Sequence, residues 1–321
     1  MLTVQEFNTT FTKAIVKHFD NQSKEAIKNS AMNKIFQVED TTEYTESFIS
    51  TEGVTLPTYV DESETPDTNK IGKGYKVTFD GAEFAHNVII SYKARKKVQD
   101  KTEKVIDIIN KQKNGAIIAM NSFLEIETHK LLNQAFSSTS YLAPDAQVLC
   151  YGTHVWNSTG RTFSNLLSSS ALDLSVVDEV EKVGGAFVDS HGTNMPLNFK
   201  TIVVKKGGKA AQAAKRIFGF NRKMDVKDQY RPTTIGNIDI YVGEYTIIET
   251  PWLTSNTAYF FVADRQMLGI ENPLFVNFIE RPQIQGDATL QKNLDFMYSV
   301  AGSFKFGCRN MPITLLGSPG A

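Results

Sequence analysis

Lys205-Lys206-Gly207-Gly208-Lys209 stands ahead of an Ala-rich helical run, and glycine-rich backbone leading into a helix N-terminus is an arrangement that cradles phosphate. The run lacks the G-x4-G-K-[ST] spacing of a P-loop, so it reads as a solvated strand-to-helix turn. Lys215, Arg216, Arg222 and Lys223 extend its positive charge along an exposed helix face. His18, His86, His129, His154 and His191 are scattered, without an HExxH motif or an i, i+4 pair for zinc, and read as structural or surface residues. Cys150 and Cys308 sit in no CxxC or Cys/His cluster and read as buried free thiols of a reducing compartment. No GxSxG elbow marks a serine nucleophile. Sequons at Asn8, Asn21 and Asn157 carry meaning only in a secreted protein, and nothing in the sequence points to secretion. These spacings nominate no catalytic residue, no cofactor and no metal.

The elements that would position such residues are more informative. A chain of 321 residues with a 41% hydrophobic fraction can bury one large core or two ordinary ones. Its 34 Lys and Arg nearly balance 35 Asp and Glu, so no global field draws it to nucleic acid or an anionic membrane. The N-terminus lacks the basic, apolar and small-residue regions of a signal peptide, and no apolar run approaches the ~20 residues of a membrane helix. A soluble product that stays where it is made is expected.

Thr3 with Glu6 makes a capping-box pattern, and Val4, Phe7, Phe11, Ile15 and Phe19 follow at helical spacing before a polar stretch at 21–28. This arm has one narrow apolar stripe and is expected to dock on something larger, including another subunit. From Phe48 the composition turns β-branched and aromatic, with Ile49, Val54, Leu56, Tyr59 and Val60 before an acidic, Pro-bearing tip at 61–67. Tyr75, Val77 and Phe79, then Phe84, Val88, Ile90 and Tyr92, alternate on the return, which predicts one extended hairpin over 48–92. A hairpin without a covering layer is marginal in water, so it needs a partner surface.

Val98, Val105, Ile109, Ile117, Met120, Leu124, Leu131 and Ala135 recur at helical intervals and predict a helix over 98–136, about 58 Å long if continuous, with a kink or break possible at Asn114-Gly115. After a Ser/Thr/Pro linker at 137–144 the pattern becomes α/β. It comprises a short strand at 147–150, a helix opened by Ser175 with Asp178, a buried strand at 199–204, and a helix at 209–218 stopped by Gly219. Strands follow at 238–242 and 258–263. Leu294, Phe296, Tyr298, Val300, Phe304, Phe306 and Cys308 then alternate along one late strand, with Phe275, Phe278 and Ile279 as its neighbour. Pairing that late sheet with the long helix makes one domain from distant segments, with residues 145–265 inserted as a second.

In this order of parts the chain resembles the major capsid proteins of tailed double-stranded DNA bacteriophages, the Hong Kong 97 fold, over nearly its whole length. The resemblance implies an α+β architecture with an N-terminal arm (1–45), an extended β-hairpin loop or E-loop (46–93), and a peripheral domain with a spine helix (94–144). An axial domain (145–265) and a peripheral return of C-terminal strands (266–321) complete it. It implies a structural, non-enzymatic subunit that assembles as hexamers and pentamers into an icosahedral head enclosing double-stranded DNA. Assembly in the bacterial host cytoplasm leads to the virion. Portal and decoration proteins are further partners implied, and because the arm begins almost at Met1, with no long charged scaffold segment of the kind some members carry, a separate scaffolding protein or assembly without one is expected.

The subunit-interface residues expected on this reading are Phe7, Phe11, Phe19, Phe48, Leu56, Tyr59, Val77, Phe79 and Phe84. Glu62 and Glu64 at the acidic tip would face a basic strip such as Lys93, Arg95, Lys96 and Lys97 on a neighbour. Some members of the family are cross-linked from Lys to Asn, but Lys70, Lys73, Lys76, Asn293 and Asn310 are read here as solvated surface residues. Two alternatives stand beside the capsid: an encapsulin-like nanocompartment enclosing a cargo enzyme, and an α/β enzyme with a dispersed site.

Overall fold

In a computed structural model the described residues are 13–52, 73–93, 105–218, 244–263, 272–290 and 295–321. Several expectations lie outside them: the first turn of the arm, the hairpin tip, residues 98–104, Gly219, the strand at 238–242, and Leu294. The chain forms two compact units, one drawn from Met1–Glu46, Phe79–Thr128 and Val276–Phe306, the other from Ser47–Thr78, His129–Phe275 and Gly307–Ala321.

The first unit begins with helix α1 (Lys13–Lys28) and the short helix α2 (Ala31–Ile35). The stretch at 21–28 continues the first helix instead of following it, because Ser23 and Ile27 repeat the buried position of Phe19 at intervals of four. Phe19, Ile27, Met32, Ile35 and Phe36 are all buried within the chain, each contributing roughly 1.5–3 kcal/mol. Strand β1 (Gln37–Asp40) then enters a four-stranded sheet with β4 (Ala82–Ile90), β10 (Leu274–Leu290) and β11 (Phe296–Cys308), in the order β1-β10-β11-β4.

The expected hairpin is therefore two structures. Strands β2 (Thr45–Thr51) and β3 (Lys73–Asp80) pair with each other, whereas β4 pairs antiparallel with β11, Phe84 opposite Gly302 and Phe296 opposite Ile90. The change of partner falls at Gly81, whose N–H donates to Tyr44 O at 2.9 Å. Gly302, the one break in the alternation of β11, has a packing reason: a Cβ there would lie 2.7 Å from Phe84 Cζ and 2.9 Å from Glu280 O. The other face of β11 is not open to water at Lys305, which is buried and donates to Glu46 Oε2 and Glu43 O, both at 2.8 Å.

The long helix α3 spans Val105–Asn133, 29 residues or roughly 43 Å, and runs unbroken through Asn114-Gly115. Gly115 meets nothing on its open side, so the helix there loses propensity but suffers no clash. Ile117, Met120, Leu124, Leu131 and Ala135 are buried, as their spacing predicts.

The second unit opens with a small antiparallel ribbon, β5 (His154–Val155) against β6 (Thr162–Phe163). Its main sheet comprises β7 (Phe199–Lys205), β8 (Thr246–Thr250), β9 (Tyr259–Ala263) and β12 (Leu315–Ser318), in the order β12-β9-β7-β8. Strands β7 and β8 are parallel, β9 is antiparallel to β7, and helices α4 (Leu174–Gly185) and α5 (Lys209–Phe218) pack on β7. Strand β9 is buried throughout, as a continuous apolar run predicts.

Two local expectations are corrected here. Helix α4 starts two residues earlier than Ser175 implies: Asp173 is its N-cap, accepting from Val176 N at 3.1 Å, and the Ser175 hydroxyl donates to Asp173 Oδ1 at 2.7 Å. A carboxylate at the positive end of the helix is the stronger cap. Residues 147–150 form no strand. Ala143 N–H donates to Gln147 O at 2.8 Å and Gln147 N–H to Asp145 Oδ1 at 3.3 Å, which folds the chain into a turn.

Candidate assembly surfaces

The interface residues expected from the sequence divide into three groups. Phe7, Phe11, Leu56, Tyr59, Glu62 and Glu64 lie outside the described residues. Phe19 is fully buried by its own chain. Phe48, Val77, Phe79 and Phe84 are half-buried. Phe48 packs on Phe275 with ring centroids 5.1 Å apart, and the Arg309 guanidinium lies 5.6 Å from the Phe48 ring and 5.8 Å from that of Phe275. Val77 and Phe79 share one face of β3 with Tyr75, while Lys76, Thr78 and Asp80 on the other face are exposed. Phe84 contacts Phe123 at 5.5 Å and Phe304 at 5.6 Å, so the late sheet does pack on the long helix.

Among the described residues, exposed apolar side chains also line a second face of α3. Ile118 is 66% exposed, Phe123 38% and Ile126 45%. With Gly115, Ala119 and Ser122 they make an uncharged stripe at intervals of three and four. An exposed helix face normally carries charge, and contiguous apolar surface marks an interaction site. In the sequence the stripe shows as a second apolar periodicity beside the buried one. Ile49 and Ile89 add exposed apolar side chains on β2 and β4.

The arm is held on the buried side of the same helix by a carboxylate. Glu125 Oε1 accepts from Ala31 N at 2.8 Å and Oε2 from Met32 N at 3.1 Å, while Ser30 Oγ accepts from Asn33 N at 3.1 Å. All three leading N–H groups of α2 are thereby satisfied. Burial raises the Glu125 carboxyl above the ordinary carboxylate value, against the opposing pull of the two amides.

The residues considered for chemistry have structural settings. Lys205 Nζ donates to Thr254 O at 2.9 Å, Lys215 pairs with Glu249, and Lys206, Lys209 and Arg216 are exposed. The basic run is thus a turn and an outer helix face. His129 and Thr250 Oγ1 share a hydrogen bond at 3.1 Å. His154 Nδ1 lies 2.8 Å from Asp145 Oδ2, both side chains buried. Burial alone would raise the Asp145 carboxyl, but His154 and the amides of Val155 and Gln147 outweigh it and hold the group below its usual range. Burial pushes the Cys150 and Cys308 thiols up, consistent with inert core cysteines. Among the described residues no three His, Cys, Asp or Glu side chains converge as a metal site, and no helix is long and apolar enough to cross a membrane.

No protein family and no curated relative matches the sequence. Solved structures do match. The chain is similar to a virus-like particle from Pyrococcus furiosus, at 9% identity over 95% of this chain and 98% of that one, with a TM-score of 0.50. It is also similar to a structure from Mycobacterium phage Cain, at 9% identity over 91% and 90% with a TM-score of 0.49. The capsid structure of cyanophage P-SCSP1u matches at 8% identity over 89% and 86% with a TM-score of 0.48. The first likeness spans nearly the whole of both chains, and the fold is an α+β capsid fold.

Proposed function

We propose that the chain is the major capsid protein of a tailed phage, its copies joining as hexamers and pentamers into an icosahedral head around double-stranded DNA. The observation that carries the reading is the likeness to the Pyrococcus furiosus particle over almost the entire chain, supported by the uncharged, uncovered stripe on the long helix. Mechanism here is geometry. Segment 53–72, with Leu56 and Tyr59, lies over a neighbour; Glu62 and Glu64 set register against basic side chains; and Phe7 and Phe11 dock the arm beneath one. Hydrophobic burial summed over many contacts offsets the cost of ordering these segments. Scaffolding, portal and decoration proteins complete the assembly in the host cytoplasm.

The test is expression of the full chain, followed by size-exclusion chromatography and negative-stain electron microscopy. Closed particles, tubes or six-membered rings are expected, and a compact monomer at every concentration overturns the reading. A nanocompartment is the second reading, favoured by the fact that the Pyrococcus furiosus match is a virus-like particle. Nuclease-treated particles that retain nucleic acid favour the phage head, whereas particles retaining a protein cargo favour the nanocompartment.

A further inference from the structure

The two residues that bracket segment 53–72 are held by one turn of the second unit. Glu52 follows β2 and is only 2% exposed. The Asn157 amide donates to Glu52 Oε1 at 2.9 Å, the Ser158 amide to Oε2 at 2.8 Å, and the Ser158 hydroxyl also donates to Oε2. On the far side of the segment, Asn157 Nδ2 donates to Lys73 O and Gly74 O, both at 3.3 Å. The approach tolerates no side chain at 74, where a Cβ would lie 2.0 Å from Ser50 Oγ.

The turn is itself anchored. Trp156 N–H donates to Arg161 O at 2.8 Å, Gly160 N–H to Trp156 O at 2.9 Å, and Thr159 Oγ1 to Ser190 O at 2.8 Å. Trp156 packs on Phe163 at 5.2 Å, and at the base of the turn Asp145 accepts from Val155 N at 3.3 Å beside its contact with His154.

A buried carboxylate is a poor way to join two elements if only stability matters, since apolar contacts of equal volume do as well. Two consecutive amides and a hydroxyl converging on one carboxylate add direction, because charge-assisted hydrogen bonds of this kind fix angle as well as distance. We propose that Glu52, Asn157 and Ser158 form a bearing that fixes the spacing and orientation of the two chain ends, at Glu52 and Lys73, that segment 53–72 joins, and that this setting governs the curvature at which copies join. The proposal rests on the shell reading above. The three are positioning residues that act through the segment they flank.

The test compares the full-length wild type with Glu52→Gln and Asn157→Ala. The glutamine keeps volume and one acceptor but sets an NH2 against an amide N–H. The alanine removes only the bonds to Lys73 and Gly74. Three readouts are taken: hydrogen exchange at the Asn157 and Ser158 amides, the thermal midpoint, and the distribution of particle diameters by electron microscopy. For Glu52→Gln, exchange at both amides is expected to rise roughly tenfold. Closed particles of wild-type diameter are expected to fall roughly fivefold in favour of open sheets, tubes or other diameters. A clamp that is merely structural lowers the midpoint and leaves diameters alone. Particles of wild-type size and number from a variant with fast exchange overturn the proposal. Asn157→Ala repeats the test by the other strand if Glu52→Gln does not fold. A wild type that forms no particles overturns the shell reading instead, so the two failures are told apart.

Discussion

The sheet of the second unit and the long helix of the first treat apolar residues in opposite ways. Tyr259, Phe260 and Phe261 on β9 are enclosed, and Tyr245 and Tyr259 meet the Phe261 ring edge-on at 6.1 and 6.0 Å. Helix α3 buries Ile117, Met120 and Leu124 but leaves Ile118 and Ile126, and the outer part of the Phe123 ring, exposed among the described residues. The first arrangement needs only its own chain to be stable. The second leaves apolar surface that its own described residues do not cover, which the proposed shell would cover with another copy. Enclosed residues should therefore govern folding, and the open stripe should govern association.

The largest effect expected from that contrast is on the enclosed side. Phe261→Ala should lose about 3–5 kcal/mol of unfolding free energy, measured by urea denaturation, because its site is packed on every side. An unchanged midpoint would break the comparison at its firmest point. Next comes the arm. Glu125→Ala leaves the Ala31 and Met32 amides without their carboxylate and should cost about 2 kcal/mol, read as faster exchange and tryptic cleavage at Lys28 and Lys34 while the second unit stays protected.

A pH series sharpens the contrast, since the two buried carboxyls are shifted in opposite directions. The Glu125 carboxyl is raised by burial, so the folded state holds its proton more tightly than the unfolded chain does. Its contribution declines as pH rises from the unfolded value through the folded one. The Asp145 carboxyl is lowered, so its contribution is present above the unfolded value and is lost as pH falls toward the folded one. Asp145→Asn should cost about 1–2 kcal/mol at neutral pH and progressively less below about pH 4. Glu125→Gln should show no such loss of effect on acidification, and parallel profiles for the two variants would contradict the assignment.

The smallest effect on folding belongs to the stripe. Ile118→Glu with Ile126→Glu should change unfolding free energy by about 0.5 kcal/mol each or less, because both side chains are surface residues, 66% and 45% exposed. Particle yield should nonetheless collapse, as measured by sedimentation. Loss of folding without loss of assembly would reverse the roles given to the two surfaces.

Legibility in the sequence follows the range of the interactions. Period alone exposed the buried stripe of α3, the alternation of Tyr75, Val77 and Phe79, and the apolar run of β9, because each is a local pattern set by one covered face. Alternation does not name a partner, so β4 read as part of the hairpin when its ladder is with β11, more than two hundred residues away in the chain. Helix α4 took its cap from Asp173, since two acceptors competed within three residues. The contacts of Glu52 with Asn157 and Ser158, 105 and 106 residues apart, and of Glu125 with Ala31, 94 apart, carry no local signature at all. Asn157-Ser158-Thr159 reads locally only as a sequon, although Asn157 and Ser158 hold the residues that flank segment 53–72.

The most direct measurement is a cryo-electron microscopy reconstruction of whatever the purified full chain assembles into. Closed particles are expected, in which atoms of a neighbouring copy cover Ile118, Phe123 and Ile126. A particle that leaves this helix face in solvent, or a chain that stays monomeric at every concentration, would contradict the assignment of that face to assembly.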